Sequence, residues 1–334
     1  MINRREFMIG TSGIFLSAMA GGKEKNVSSS AQSSPRSKTV KTVISLVKTS
    51  DRQTGIKKAI ELLGMNPVRG RDVLLKPNFN TADSYPGSTH NDTLINLILH
   101  LRHMGAKSIT IGERSGPPDT ADVLEQKGIY AICKDMNVKL INFEELPEDE
   151  WVKVSPEGNH WRNGFYVAKP VLDSDCIVST CCLKTHGFGG VFTMSLKLSV
   201  GIVHKRNMTE LHSSFLSMRK MIAEINQAYT PSLILLDGIE AFTDRGPMDG
   251  PRKRADVIIA GTDRIAIDAA GLAVLKDIGS NKVIMEKKIF DQEQIARAAE
   301  LGLGVARPAD IEIITGDDES RGYAGRLQAI LLKG

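Results

Sequence analysis

The sequence predicts an α/β protein: a mostly parallel sheet with helices on both faces, forming one elaborated domain over 41–334 with a small β-hairpin insertion. Three observations lead there. Short apolar, β-branched runs alternate with longer stretches at helical spacing, the pattern of strands joined by crossover helices. Several of these runs end on charged or polar residues, as strands do where a parallel sheet presents its ligand-binding carboxyl ends. The chain of 334 residues is 41% hydrophobic and 25% charged, which excludes a disordered or collagen-like protein.

The first twenty residues differ from the rest. Arg4 and Arg5 precede a short, weakly apolar stretch over 7–19, and Ala18-Met19-Ala20 is a small-x-small cleavage site. Arg-Arg-x-Phe ahead of such a segment resembles a twin-arginine export signal over 1–20. The stretch is shorter than the roughly 20 residues that span a bilayer. The mature chain is therefore expected without an integral membrane domain, in the periplasm or cell envelope, with the twin-arginine export machinery as a partner. Residues 21–40 are Ser-rich and aperiodic and read as a flexible linker.

From 41 onward the elements come in order. The run 42–47 (TVISLV) is a strand, with a helix over 52–63 ending near Gly64. The run 72–75 (DVLL) is a second strand leading into Lys76-Pro77-Asn78. Over 92–103, Leu94, Leu97, Ile98 and Leu101 fall at helical spacing, with Thr89 or Asn91 available as N-cap. Strands are expected next at 108–111 and 138–141. WVKV (151–154) and GFYVA (164–168) flank a Pro/Gly/Asn turn and form the hairpin. Further strands are expected at 176–180, 233–236, 257–260 and 311–314, with helical stretches at 207–228, 263–276 and 290–300.

Composition narrows the partners. A net charge of +4 with 5% aromatic residues is too mild and too poor in stacking groups for a nucleic-acid surface. Cys133, Cys176, Cys181 and Cys182 include no C-x-x-C pair, so the spacing supports neither an iron–sulfur cluster nor a zinc knuckle. In an oxidising compartment Cys133 can pair with one of the others; the plainer reading is small, buried apolar side chains.

Polar residues gather at the strand ends: Lys76 and Asn78, Glu113, Lys184-Thr185-His186, Asp237, the loop 244–250, and Thr262-Asp263. His186 borders the Gly-rich 187–190 segment, where an imidazole can ligate a metal or move a proton. Gly189 and Gly190 allow backbone amides to approach an anion, which Lys184 and Lys197 would neutralise. Each has a plain alternative: Lys76 as a solvated strand end, the glycines as a turn, Asp263 as a helix N-cap. Asp268, inside the apolar run IAIDAAGLAV, is expected to face a polar partner. His204 reads as surface.

Taken in order, Lys76-Pro77-Asn78, Thr89-His90, Gly112-Glu113, Lys184-Thr185-His186, Thr193 with Lys197, Asp237-Gly238-Ile239, Gly246 with Gly250, and Thr262 with Asp268 resemble the domain of unknown function 362 family over almost all of 41–334. The resemblance implies the fold and a shared site without assigning a reaction. Many members carry an appended iron–sulfur ferredoxin module that this sequence lacks, so the iron–sulfur label is not carried over. Leu198 stands where the family usually has Asn. A looser similarity is to lactate racemase-type proteins, in which a His and a downstream Lys of a Gly-rich segment serve a nickel-pincer nucleotide. His186 and Lys197 stand in that relation here, a pointer to fold and site location rather than to nickel.

The expectation is an exported protein, read first as an enzyme, that binds an anionic small molecule, substrate or cofactor, with or without a metal, at the strand carboxyl ends. Its catalytic candidates are His186, Lys184, Lys197, Glu113 and Asp237. The cofactor-binding candidates are Lys76, Asn78, Gly189, Gly190, Thr193 and Gly246, and the metal-ligand candidates are His90, His186 and His212. The alternative is a non-catalytic envelope binding protein that holds an anionic ligand with the same loops; an electron-transfer protein is disfavoured by the cysteine spacing.

Overall fold

A computed structural model describes residues 41–334; the signal read at 1–20 and the linker at 21–40 lie outside the described residues. In chain order the regular elements are β1 (Thr42–Lys48), α1 (Arg52–Leu62), β2 (Asp72–Lys76), α2 (Asn91–His103), β3 (Ser108–Glu113), α3 (Thr120–Gln126), α4 (Ile129–Asp135) and β4 (Lys139–Asn142). Then come β5 (Trp151–Val154), β6 (Phe165–Ala168), α5 (Lys169–Leu172), β7 (Ile177–His186), β8 (Val191–Thr193), α6 (Ser195–Leu198), α7 (Met208–Ser213) and α8 (Met218–Ile225). The chain finishes with β9 (Leu233–Phe242), β10 (Arg252–Gly261), α9 (Arg264–Ile278), α10 (Lys282–Glu286), α11 (Glu293–Glu300), β11 (Ile311–Ile314) and α12 (Asp318–Lys333).

The main sheet has the order β11-β1-β10-β9-β7-β2-β3-β4, with β8 paired to β7. Neighbours run parallel except at β10, which is antiparallel to both β9 and β1, and at β8. Successive strand residues enter opposite cores. Leu233 and Leu235 join the cluster covered by α1 and α2, while Ile234 and Leu236 join the one covered by α9, α11 and α12. Val257 and Ile259 against Ile258 and Ala260 repeat the division. Burial on both faces is why these strands read as continuous apolar runs. Burying each such Leu or Ile contributes about 1.5–3 kcal/mol. The hairpin β5–β6 forms its own antiparallel pair. Trp151, Phe165 and Val167 pack with Met221, Ile222 and Ile225 of α8 in a third cluster.

Four expectations change. The stretch 207–228 is not one helix: it breaks between α7 and α8, where the Ser214 hydroxyl donates 2.7 Å to the Glu210 carbonyl and competes with the helical ladder. The strands expected at 176–180, 233–236 and 257–260 are each longer, as β7, β9 and β10 continue through polar residues. Helix α2 is capped by His90 rather than Thr89 or Asn91; its Nδ1 accepts the Asp92 amide at 3.1 Å. The four cysteines are all buried and free, so Cys133 makes no disulfide. Asp263 is the N-cap of α9, accepting from the amides of Ile265 (2.8 Å) and Ala266 (3.0 Å). Among the described residues no helix is long and apolar enough to cross a membrane.

Candidate functional site

The site forms where three parallel strands end together. β2 delivers Lys76 and β3 delivers Glu113 at their last residues. β7 runs on past its final pairing with β2, Lys76 opposite Ser179, and folds back through 187–190 into β8. In that extension Lys184 stands opposite Thr193 and His186 opposite Val191. Alternation along the strand and direct opposition across it place Lys184, His186 and Thr193 on one side. With Asn78, Lys197 and Pro247 they line a recess of about 40 Å³, a space for a group of a few atoms. It adjoins a wider hollow of about 520 Å³, and His186, Lys197 and Arg114 line both.

Its back wall is a buried ion pair. Lys76 Nζ lies 2.5 Å from Glu113 Oε1 and also donates to the Pro77 carbonyl at 2.7 Å. Glu113 accepts further amides from Arg114 (2.9 Å) and Phe79 (2.8 Å). A Cβ at Gly201 would come within 2.8 Å of the Lys76 ammonium, so glycine is required for that close approach. Burial pushes the Lys76 ammonium down and the Glu113 carboxyl up. Glu113 accepts three donors, so it positions Lys76 rather than standing ready to take a proton. The Arg114 guanidinium is likewise spent, on the carbonyls of Val203 (2.8 Å), Ser115 (2.7 Å) and Val200. Burial lowers it to about 10, which leaves it charged.

Lys184 is fully buried and donates to the Gly87 carbonyl. Lys197, on α6, makes no hydrogen bond or ion pair among the described residues. Burial first, then Lys184 and Arg114 nearby, pushes its ammonium down to about 8. Burial, followed by the charges of Lys197 and Lys184, holds His186 well below the usual imidazole range, so it is neutral near pH 7. Its Nδ1, the Asn78 Oδ1 and the Thr193 Oγ1 are buried without a partner among the described residues. Unpaired buried polar atoms cost about 1–3 kcal/mol each, and three beside one recess mark it as a binding place. Gly190 brings two of the groups together: a Cβ there would fall 2.8 Å from Lys197 Cε and 2.9 Å from His186 Nδ1.

Several expected residues stand elsewhere or do something else. Asp237 does not reach the recess. It accepts from Tyr85 Oη (2.7 Å), Thr93 Oγ1 (2.5 Å) and Arg52 Nε (2.9 Å), which spends it as a general base or ligand. Gly189 is exposed at φ +78°, and its carbonyl accepts from Arg219 at 2.9 Å outside the recess. Gly246 serves close backbone approach instead of touching a cofactor. A Cβ there would be 2.1 Å from the Thr185 carbonyl, and its own carbonyl takes the Gly187 amide at 3.0 Å. That contact seats Pro247 over the recess. The histidines do not converge on a metal: His90 caps α2, and His212 Nδ1 is 2.7 Å from the Met208 carbonyl at the outer hollow. Among the described residues no three His, Cys, Asp or Glu side chains are grouped to hold an ion.

Sequence reasoning missed Asn80 as a lining residue; Arg114, which stands beside Glu113 at the same strand end, lines the recess although it was given no role there. The polar partner expected for Asp268 is the start of α6. Its carboxyl oxygens accept the amides of Ser195 (2.7 Å) and Leu196 (3.1 Å), and burial pushes the group up to about 8. Thr89 accepts the Asn78 amide at 2.8 Å, fixing the turn after β2.

Comparison with known proteins adds three findings. A family model described as a domain of unknown function (DUF362) matches residues 73–273, a span containing every residue that lines the recess. The thylakoid-associated protein sll1697 of Synechocystis sp. is 24% identical over 254 residues, 73% of this chain and 75% of that one. Among solved structures, the lactate racemase apoprotein from Thermoanaerobacterium thermosaccharolyticum matches at 11% identity and a TM-score of 0.41, covering 86% of each chain.

Proposed function

The chain belongs to the DUF362 family, and on that premise we propose that it is an exported enzyme that holds a small oxyanion, of substrate or cofactor, in the recess between Lys184, His186 and Lys197. The observation that carries this reading is the Lys197 ammonium, unpartnered among the described residues and facing a recess lined by Lys76, Arg114 and Lys184, with Glu113 as the one acidic lining residue among those described. A half-buried cation that is desolvated without a counter-ion costs free energy, and a bound carboxylate or phosphate oxygen relieves that cost. The orphaned Asn78, Thr193 and His186 atoms supply the remaining polar contacts. Neutral His186 exchanges a proton with the bound group through Nδ1. Lys184, tied to the Gly87 carbonyl, sets the charge of the floor.

Calorimetric titration with phosphate and oxalate tests the recess. Binding that disappears in Lys197→Met supports the reading; heats that are the same in wild type and variant remove it. One observation favours a second reading, an envelope protein that binds the anion without transforming it: the one carboxylate at the recess, Glu113, is saturated by donors. That reading expects His186→Gln to change affinity alone. The enzyme reading expects it to leave affinity within a few-fold while turnover stops for any ligand that mass spectrometry identifies on the natively purified protein. Export by the twin-arginine route belongs to the same proposal. Replacing Arg4 and Arg5 together by Lys is expected to retain the protein in the cytoplasm on fractionation, and unchanged export would dismiss that route.

A further inference from the structure

The outer hollow differs in kind from the recess behind it. Phe188, Val200, Met208, Pro247 and Met248 line it, and Phe188 and Met248 leave 60% and 38% of their surface in water. Scattered apolar residues on a surface need no account, but these two border the opening that leads to Lys197. The turn between β7 and β8 holds Phe188, its ring edge-on to His186 with centroids 6.0 Å apart. It therefore stands where the recess meets the hollow. Methionine side chains adapt to a partner's shape, and Met208 and Met248 supply that here.

The hollow also offers no second free cation among the described residues. Lys205 is tied to Glu144 and to the Pro118 carbonyl at 2.9 Å. His212 is held by the Met208 carbonyl, and Arg114 is spent on three carbonyls. A polyanion would place its outer charges among apolar side chains without counter-charge. A volume of about 520 Å³, apolar around one polar end, is the general form of a site for a small organic ligand.

We propose that the ligand is an amphipathic organic anion, its oxyanion head in the recess against Lys197 and its apolar body in the outer hollow on Phe188, Val200, Met208 and Met248. The inference rests on the oxyanion reading of the recess and adds the chemical class of the body attached to the head. A carboxylate and a phosphate monoester share the required chemistry, one compact anionic group on an apolar stem.

The test is calorimetry on the whole chain with two homologous series, acetate to octanoate and methyl to octyl phosphate. Each buried methylene is expected to tighten binding by up to about fourfold until the hollow is filled, in whichever series carries the fitting head. In a Phe188→Ser, Met248→Ser double variant the ratio of octyl to methyl affinity is expected to collapse at least tenfold. Both residues are exposed, so folding is checked by an unchanged melting curve. Short anions that bind while the series stays flat would overturn this inference and leave the recess reading standing. If no member of either series binds, the recess reading fails and takes this one with it.

Discussion

At the scale of single residues, Lys197 pits stability against binding. Its amine has an ordinary value of 10.5 and is pushed down to about 8 by burial and by Lys184 and Arg114. The charged form is thus disfavoured in the fold relative to the unfolded chain. The cost is fully present below pH 8 and fades as pH rises from 8 toward 10.5. Lys197→Met is therefore expected to raise thermal stability at pH 7, by on the order of 1–3 kcal/mol, with the gain shrinking above pH 8. A melting series from pH 6 to 10 checks the sign; a variant less stable than wild type at pH 7 contradicts it. Binding runs in the same window. The charged amine attracts an oxyanion, so affinity for oxalate, whose own charge does not change between pH 6 and 10, is expected to be complete below pH 8 and to fall as pH rises through it. His186, neutral throughout, adds no second step between pH 6 and 8.

At the scale of elements, the site depends on how the short helix α6 is held. With only Ser195–Leu198, it cannot stabilise itself by its own hydrogen bonds. The buried Asp268 of α9 accepts its first two amides and fixes where Lys197 projects. Asp268→Asn turns one acceptor into a donor facing the Leu196 or Ser195 amide. The expected cost is about 1–3 kcal/mol, together with weaker phosphate binding although residue 268 does not line the recess. A variant that melts lower but binds phosphate unchanged would separate α6 from the site. Gly190→Ala acts from the other side, because its Cβ would push directly on Lys197 Cε and His186 Nδ1. Phosphate affinity is expected to drop about tenfold or more, while the melting temperature moves little since Lys197 can swing toward the hollow. Sequence showed these elements incompletely for a physical reason. Lys184, Thr185 and His186 look like loop residues because they are polar, yet they are the end of β7, paired with β8. Hydropathy locates the buried part of a strand and falls silent where a strand lines a polar cavity.

At the scale of the whole molecule, the two-faced sheet was legible because strands buried on both sides leave continuous apolar runs, as 233–236 in β9 and 257–260 in the antiparallel β10 do. The helix α12 was not, since Gly322 and Gly325 dilute its helical signal, nor was the reversal of β10, which depends on the loop 243–251 returning beside β9. Convergence of Lys76, Glu113, Lys184 and His186 was legible from their positions at strand ends, whereas Lys197 lies on α6 and was tied to His186 through the Gly-rich segment between them. Asp237 looked the same by that criterion and belongs to a different structure. It sits within β9, where Arg52 of α1, Thr93 of α2 and Tyr85 of the loop after β2 meet it, so it joins four separate stretches of chain on the face opposite α9. Removing one partner of such a buried pair leaves the other charge uncompensated, a loss of about 3–5 kcal/mol where burial is complete; Arg52 keeps some exposure, at 14%, which reduces it. Asp237→Ala is therefore expected to lower stability by about 2–3 kcal/mol. Phosphate affinity measured well below the melting temperature should stay within twofold of wild type, because none of the partners of Asp237 lines the recess. Loss of phosphate binding in a variant still folded by circular dichroism would return Asp237 to the site and require a path from α1 to Lys197 that these contacts do not contain.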